Sequence, residues 1–128
     1  KENYKGLKVY GQSKLANILF TRSLASKLKD YKITVNCLHP GYVDTGIGLN
    51  NEGFFVRLLM NLGRPFAKKT DKGAETSIYL CASPEVEKVT GEYFVDCEIE
   101  KLIGAAKSDD QAEKLWSISS ELTGIDLH

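Results

Sequence analysis

The amino-acid sequence predicts an α/β fold, in which helices alternate with the strands of a parallel sheet. An amphipathic helical pattern runs over residues 8–29, and a β-branched segment at 33–39 follows it closely. The same helix-then-strand order recurs with a helical pattern at 71–82 and a strand pattern at 91–97. A helix that leads into a strand through a short connection is half of a βαβ unit, whose strands lie parallel in one sheet.

The first helix is expected to end at Asp30 and Tyr31, just before the first strand. The segment 33–39, "ITVNCLH", has the β-branched residues of a buried strand, and Pro40 ends it because proline has no N–H to give to a sheet. The helix at 71–82 is predicted with Thr70 or Asp71 as its N-cap.

The chain beyond Pro84 is predicted to form the second strand and then a last helix. Ser108 and Gln111 have the spacing of a capping box, and Gly124 closes that helix. Its apolar side chains are expected on one side at Leu115, Ile118 and Leu122, with Ala112 and Trp116 beside them. Two strands do not make a stable sheet alone, so the N-terminal half of the domain is expected to precede Lys1.

The composition excludes several classes of function. The chain has 128 residues, enough for one domain, and its 17 basic and 17 acidic residues give zero net charge. A nucleic-acid partner is therefore not expected, because such binders carry a basic excess. The longest stretch without a charge is 33–43, far shorter than a membrane-spanning helix requires.

The cysteines and histidines predict neither a disulfide framework nor a metal site. No C-x-x-C pair occurs, and the two histidines are far apart in the sequence. The residues concerned are Cys37, Cys81, Cys97, His39 and His128. No metal ligand is therefore predicted.

A polar stripe on the first helix is the first candidate for chemistry. Its members follow the i, i+3, i+4, i+7 spacing and so share one helical face: Tyr10, Ser13, Lys14 and Asn17. An ammonium one helical turn from a phenol favours the ionised phenol, which then gives and takes protons more readily. Taken alone, a Tyr-x-x-x-Lys pattern is more often a solvated helix face than a catalytic pair.

The segment after the first strand is the second candidate. Gly41 lets another molecule approach the backbone, Val43 offers an N–H, and Thr45 offers a hydroxyl. Ligands of open α/β sheets bind beyond the carboxyl ends of the strands, which is where these residues are expected. The alternative is an ordinary strand-ending turn.

Taken together, these motifs resemble the short-chain dehydrogenase/reductase family. More narrowly, "SKLANILFTRSLASKL", "ITVNCLHPGYVDT", "KGAETSIYLCASPEVEKVTGEYFVDC" and "KLWSISSELTGI" look like its retinol dehydrogenase-like branch. The resemblance covers nearly the whole chain. It implies that residues 1–128 are the C-terminal, substrate-side half of a Rossmann-like doubly wound parallel sheet. The family's glycine-rich loop and catalytic serine would lie before Lys1.

The resemblance also implies a reaction and a set of site residues. The activity would be an NAD(P)-dependent interconversion of a lipophilic alcohol and its aldehyde or ketone. Tyr10 would be the general acid/base, and Lys14 would favour its ionised form and bind the nicotinamide ribose. The cofactor would be lined by Pro40, Gly41 and Val43 and its carboxamide held by Thr45. NADP is expected, with NAD left open because the selecting residues are not in this sequence.

Substrate and partners follow from the same resemblance. The apolar segment 54–66 corresponds to the family's substrate lid and suits a lipophilic small molecule, although a core helix or a membrane-surface face is an alternative reading. A short helix is expected near 53–62. Association with the endoplasmic reticulum membrane through an upstream segment is implied, with cytoplasm or mitochondria and a homodimer left open. The competing hypotheses are a non-catalytic binding or regulatory protein of this fold and, less favoured, a sugar-nucleotide epimerase.

Overall fold

A computed structural model describes residues 5–41 and 70–125. Within these two ranges the chain forms three α-helices, three short strands and two 3₁₀ segments. The helices are α1 (Gly6–Lys27), α2 (Thr70–Ala82) and α3 (Asp109–Thr123). The strands are β1 (Cys37–His39), β2 (Tyr93–Val95) and β3 (Glu98–Ile99), and the 3₁₀ segments are Pro84–Val86 and Gly104–Lys107.

The sheet has the order β1–β2–β3, and the predicted parallel pairing is confirmed for its first two strands. Leu38 lies opposite Phe94 in the parallel pair. The described strands form a mixed sheet where a parallel one was predicted, since β3 pairs antiparallel with β2. Asp96 and Cys97 between them have φ angles of 53° and 66°, and positive φ at both central residues is typical of a type I′ hairpin turn.

The first strand is shorter than predicted and only half-buried. Regular strand covers Cys37–His39 rather than 33–39. Just before it, side chains supply part of the pairing, because the Val35 N–H donates to the Thr90 hydroxyl at 2.9 Å. The Gly91 N–H still donates to the Val35 carbonyl at 2.7 Å, so the two segments stay side by side.

Asn36 joins the segments that enter β1 and β2. Its amide nitrogen donates to the Val89 carbonyl at 2.7 Å, and its amide oxygen accepts from the Glu92 N–H at 3.1 Å. A single half-buried side chain therefore satisfies two backbone groups on the neighbouring segment. This bridge aligns the parallel strands at the point where each begins.

The ends of α3 agree with the sequence prediction in most respects. The Ser108 hydroxyl accepts from the Gln111 N–H at 3.3 Å, and Gly124 closes the helix with a φ of 67°. The reciprocal half of the capping box is absent here, because the Ser108 N–H donates to the Ala105 carbonyl. α1 begins and ends two residues earlier than predicted.

α1 packs against α3 through an aromatic pair. Phe20 and Trp116 are stacked, with ring centroids 5.6 Å apart and an interplanar angle of 16°. Lys27 places its ammonium 5.1 Å from the centre of the Trp116 ring and pairs with Glu113 at 3.1 Å. On the sheet, Phe94 is 1% exposed, and the Tyr79 ring of α2 lies 6.4 Å from it.

The burial of α3 agrees with the predicted apolar side only in part. Ala112 and Trp116 are buried, whereas Ile118 and Leu122 are 46% and 81% exposed. The reason is that α3 has two overlapping apolar faces, and the aromatic ring of Phe20 pairs with the face that holds Trp116.

Candidate active site

The N-terminal half of α1 presents the polar stripe to solvent. Tyr10 is 62% exposed, and Ser13, Lys14 and Asn17 are exposed beside it. Burial along the helix begins only at Leu19. The stripe is therefore accessible in the described part of the chain.

Lys14 and Tyr10 are brought together as the four-residue spacing predicts. The Lys14 ammonium lies over the Tyr10 ring, 5.2 Å from the ring centre. At this range the ammonium is attracted to the electron-rich ring face. Ser13 donates a hydrogen bond from its hydroxyl to the Tyr10 carbonyl at 2.7 Å, so it holds the helix backbone at Tyr10.

Two contacts fix the direction of α1 relative to the sheet. Near the end of the helix, Ala25 packs closely on Gly91, because its β-carbon lies 3.4 Å from the position that a β-carbon on residue 91 would occupy. The Gly91 N–H in turn donates to the Val35 carbonyl. One turn earlier, the Thr21 side chain lies close enough to the Cys37 thiol to lower its pKa. Ala25 therefore lies near Val35, and the earlier helix residue Thr21 lies near the later strand residue Cys37. α1 therefore runs antiparallel to β1.

This direction carries Tyr10 and the end of β1 toward the same edge of the sheet. From Thr21 back to Tyr10 the helix rises by about 16 Å. From Cys37 forward to His39, where regular strand ends, the chain advances by about 7 Å before the Pro40–Gly41 bend. The phenol and the bend are thus displaced in the same direction, toward the carboxyl end of the strand.

The bend after β1 has a backbone that favours glycine. Gly41 has a φ of 80°, a region that side chains rarely adopt. Its N–H donates to the Nδ1 atom of His39 at 2.9 Å. A backbone without a side chain, at the carboxyl end of a parallel strand, leaves room for the close approach of a ligand. The predicted cofactor residues Val43 and Thr45 lie outside the described residues.

The other predicted features of that segment, the short helix near 53–62 and the lid at 54–66, also lie outside the described residues. Sequence reasoning missed His39 as a member of the site. The signal that could have found it is an acceptor side chain two residues before a glycine, the spacing of an Asx turn. It also missed the role of Asn36 in aligning the strand that leads to the bend.

Three groups near the sheet are held in their neutral forms. Burial raises the pKa of the Cys37 thiol, although hydrogen bonds from Thr21 and from the backbone partly offset this. Burial likewise raises the pKa of Tyr93. The pKa of Tyr79 is raised mainly because its hydroxyl donates to the Glu85 carboxylate at 2.9 Å. None of these groups has the arrangement of a proton acceptor.

Two further surveys concern residues 5–41 and 70–125 only. No cluster of three or more His, Cys, Asp or Glu side chains there has the geometry to hold a metal ion. No helix in those ranges combines the length and apolarity needed to cross a membrane.

The structure combines a Tyr-x-x-x-Lys pair on an exposed helix face with a Pro-Gly bend after a parallel strand, within an α/β arrangement. The family profile described as short chain dehydrogenase matches residues 1–52, which contain both motifs. The chain belongs to the short-chain dehydrogenase/reductase family, in its retinol dehydrogenase-like branch. The predicted Rossmann-like α/β class is supported by this membership.

Individual relatives match along nearly all of the chain. Human retinol dehydrogenase 14 is 46% identical over 127 residues, which cover 98% of this chain and 38% of the relative. Mouse retinol dehydrogenase 12 is 39% identical over 125 residues, covering 98% of this chain and 39% of the relative. The chloroplastic short-chain dehydrogenase TIC 32 A of Brassica napus is 35% identical over 123 residues, covering 94% of this chain and 38% of the relative.

Proposed function

We propose that the natural polypeptide containing these 128 residues, called here the full-length protein, is an NAD(P)-dependent oxidoreductase. It would interconvert a lipophilic alcohol and its aldehyde or ketone. The observation that supports this most is the Lys14 ammonium over the Tyr10 ring, on an exposed helix face displaced toward the same sheet edge as Gly41. The names of two relatives, which specify retinol dehydrogenases, support the lipophilic alcohol.

Each residue of the site has a separate task in this proposal. The Tyr10 hydroxyl gives a proton to the carbonyl oxygen of the substrate, or takes one from the alcohol in the reverse direction. Lys14 stabilises the phenolate that remains and binds the nicotinamide ribose. Pro40, Gly41 and Val43 line the nicotinamide. Thr45 holds the carboxamide of that ring.

The cofactor would supply the hydride chemistry, which no side chain provides. NADP is the cofactor we propose, with NAD as the other outcome of a direct affinity comparison. The exposed position of Tyr10 and the glycine backbone of the bend are the observations on this chain that suit such a ligand.

The chain spans about 38% of the length of the curated relatives it matches. We propose that it forms the C-terminal, substrate-side part of one Rossmann-like domain. By itself it would then bind dinucleotide weakly and turn over no substrate. Residues 54–66 would cover a lipophilic substrate. Association with the endoplasmic reticulum membrane and a homodimer are proposals that rest on the resemblance, and the chloroplastic relative shows that location varies among similar proteins.

Tyr10→Phe in the full-length protein tests the acid/base role. Tyr31 offers a matched control, because it is 64% exposed against 62% for Tyr10 and lies outside the helix. We expect Tyr10→Phe to lower kcat by about 10²- to 10⁴-fold with little change in the Kd of the cofactor. Tyr31→Phe should leave both constants unchanged. Retained turnover in Tyr10→Phe would refute the role of the phenol.

The substrate class is tested by comparing kcat/KM for all-trans-retinal and for a short aliphatic aldehyde. A preference for retinal is expected, because an apolar lid stabilises an apolar substrate by burial. A preference for the short aldehyde would contradict the lipophilic assignment. Tight dinucleotide binding with no turnover of any carbonyl or alcohol would favour the non-catalytic alternative.

A further inference from the structure

The bend that follows β1 is closed by a side chain and not by a backbone carbonyl. β1 ends at His39, and the next residue, Pro40, has no N–H. The first backbone donor beyond the strand is therefore the N–H of Gly41, and it donates to Nδ1 of His39 at 2.9 Å. The hydrogen bond spans two residues and encloses the proline.

This geometry reproduces an Asx turn with a histidine. In an Asx turn the Oδ1 atom of Asn or Asp accepts from the N–H two residues later. Nδ1 of histidine is bonded to Cγ as Oδ1 is, so it can occupy the same place. It accepts only when it carries no proton, which assigns the proton of the neutral ring to Nε2. A proton on Nδ1 would direct two donors at each other.

The hydrogen bond from Gly41 to His39 matters because Gly41 is the least restricted residue of the bend. Glycine adopts positive and negative φ about equally readily, so its observed φ of 80° needs a reason outside its own preferences. Pro40 fixes its own φ but places no restriction on the residue after it. The hydrogen bond to His39 selects one backbone shape before any ligand arrives.

We propose that His39 is a positioning residue that holds the Pro40–Gly41 bend in the shape against which the nicotinamide lies. This inference rests on the proposed function. The Nδ1 acceptor of His39, and not the bulk of its ring, fixes the bend. Without the acceptor, the backbone at Gly41 would become ordered only when the cofactor binds. The cost of that ordering raises the cofactor Kd, whereas the proton transfer at Tyr10 is unaffected.

Two amide variants separate the acceptor from the rest of the ring. His39→Asn places an oxygen where Nδ1 is, whereas His39→Gln places its oxygen one bond further out, near the position of Nε2. In the full-length protein we expect His39→Asn to keep the dinucleotide Kd within about twofold of the wild type. His39→Gln should raise the Kd by about two- to tenfold, the effect of one net hydrogen bond. Both variants should keep kcat at saturating cofactor.

Each other pattern of results overturns the inference. Equal affinities of the Asn and Gln variants would show that the acceptor position is irrelevant. A fall in kcat at saturating cofactor, with Kd unchanged, would show that His39 acts on the reaction and not on the bend. A wild-type protein that binds no dinucleotide would refute the proposed function itself, a result distinguishable from any difference between variants.

A measurement on the unaltered protein covers the case in which the variants fold poorly. Long-range ¹H–¹⁵N correlation spectra of histidine-labelled full-length protein at pH 8 report which ring nitrogen carries the proton. The Nε2-protonated form is expected for His39. A predominant Nδ1-protonated form would overturn the inference without any substitution.

Discussion

Asn36 offers the sharpest test of how the parallel strands are aligned. Asn36→Ala removes two hydrogen bonds, one to the Val89 carbonyl at 2.7 Å and one from the Glu92 N–H at 3.1 Å. A net hydrogen bond is worth about 0.5–1.5 kcal/mol, so the pair predicts a loss of about 1–3 kcal/mol in the free energy of unfolding. Both backbone partners lie in a part-buried region, where water replaces the lost bonds only in part.

The assay is urea denaturation of the full-length protein followed by circular dichroism. The slope of the free energy of unfolding against urea concentration should be the same for the wild type and the variants. Asn17→Ala is the matched control, because Asn17 is exposed on α1 and alanine favours helices. We expect the control to change stability by less than about 0.5 kcal/mol. If Asn36→Ala also lowered the free energy of unfolding by less than about 0.5 kcal/mol, the bridging role of Asn36 would be refuted.

Asn36→Asp refines the test by changing only the donor. The carboxylate can still accept from the Glu92 N–H but faces the Val89 carbonyl with a second oxygen. Its protonated form restores the donor, so folding should raise the pKa of the new carboxyl. The stabilising bond is then present below the unfolded value of about 4 and is lost as the pH rises. The stability gap to the wild type should therefore narrow as the pH falls toward 4, and a gap independent of pH would contradict this account.

The remaining predictions concern the core, a helix cap and a thiol. Phe94→Ala should cost about 3–5 kcal/mol in urea denaturation, because the ring is 1% exposed, and a cost below about 1 kcal/mol would contradict its place in the core. Ser108→Ala should cost about 1 kcal/mol through loss of the α3 cap, whereas Ser119→Ala, whose hydroxyl bonds only the preceding turn, should cost little. Cys37 should react with a disulfide reagent more slowly than the exposed Cys81, because burial raises its pKa, and equal rates at pH 8 would argue against that burial.

The candidate site was predictable from the sequence as far as local spacing reaches. The i, i+4 spacing of Tyr10 and Lys14 places both on one helix face whatever the rest of the fold does, and the observed 5.2 Å contact agrees with that. Gly41 was predictable as a point of close backbone approach, and its positive φ fits that role. The tasks assigned to the site residues remain predictions, and this holds for Tyr10, Lys14, Pro40, Gly41, Val43 and Thr45 alike.

The hydrogen bond from Gly41 to His39 was harder to predict, because its acceptor atom depends on the rotamer and tautomer of the ring. The antiparallel third strand was missed for a related reason. Asp96 and Cys97 are not the Asn-Gly pair that usually marks a type I′ turn. The turn is held from outside instead, by a hydrogen bond from the Cys97 N–H to the buried Thr76 hydroxyl at 3.2 Å.

The sequence by itself determined the three described helices, the caps of α3 at Ser108 and Gly124, and the order in which helices and strands alternate. Those features depend on interactions between residues a few positions apart, which a linear pattern records directly. Only the tertiary structure decided which face of α3 is buried and which segment lies beside Val35. Both outcomes depend on partners more than fifty residues away, where packing and hydrogen bonding select among local alternatives that the sequence leaves nearly equal.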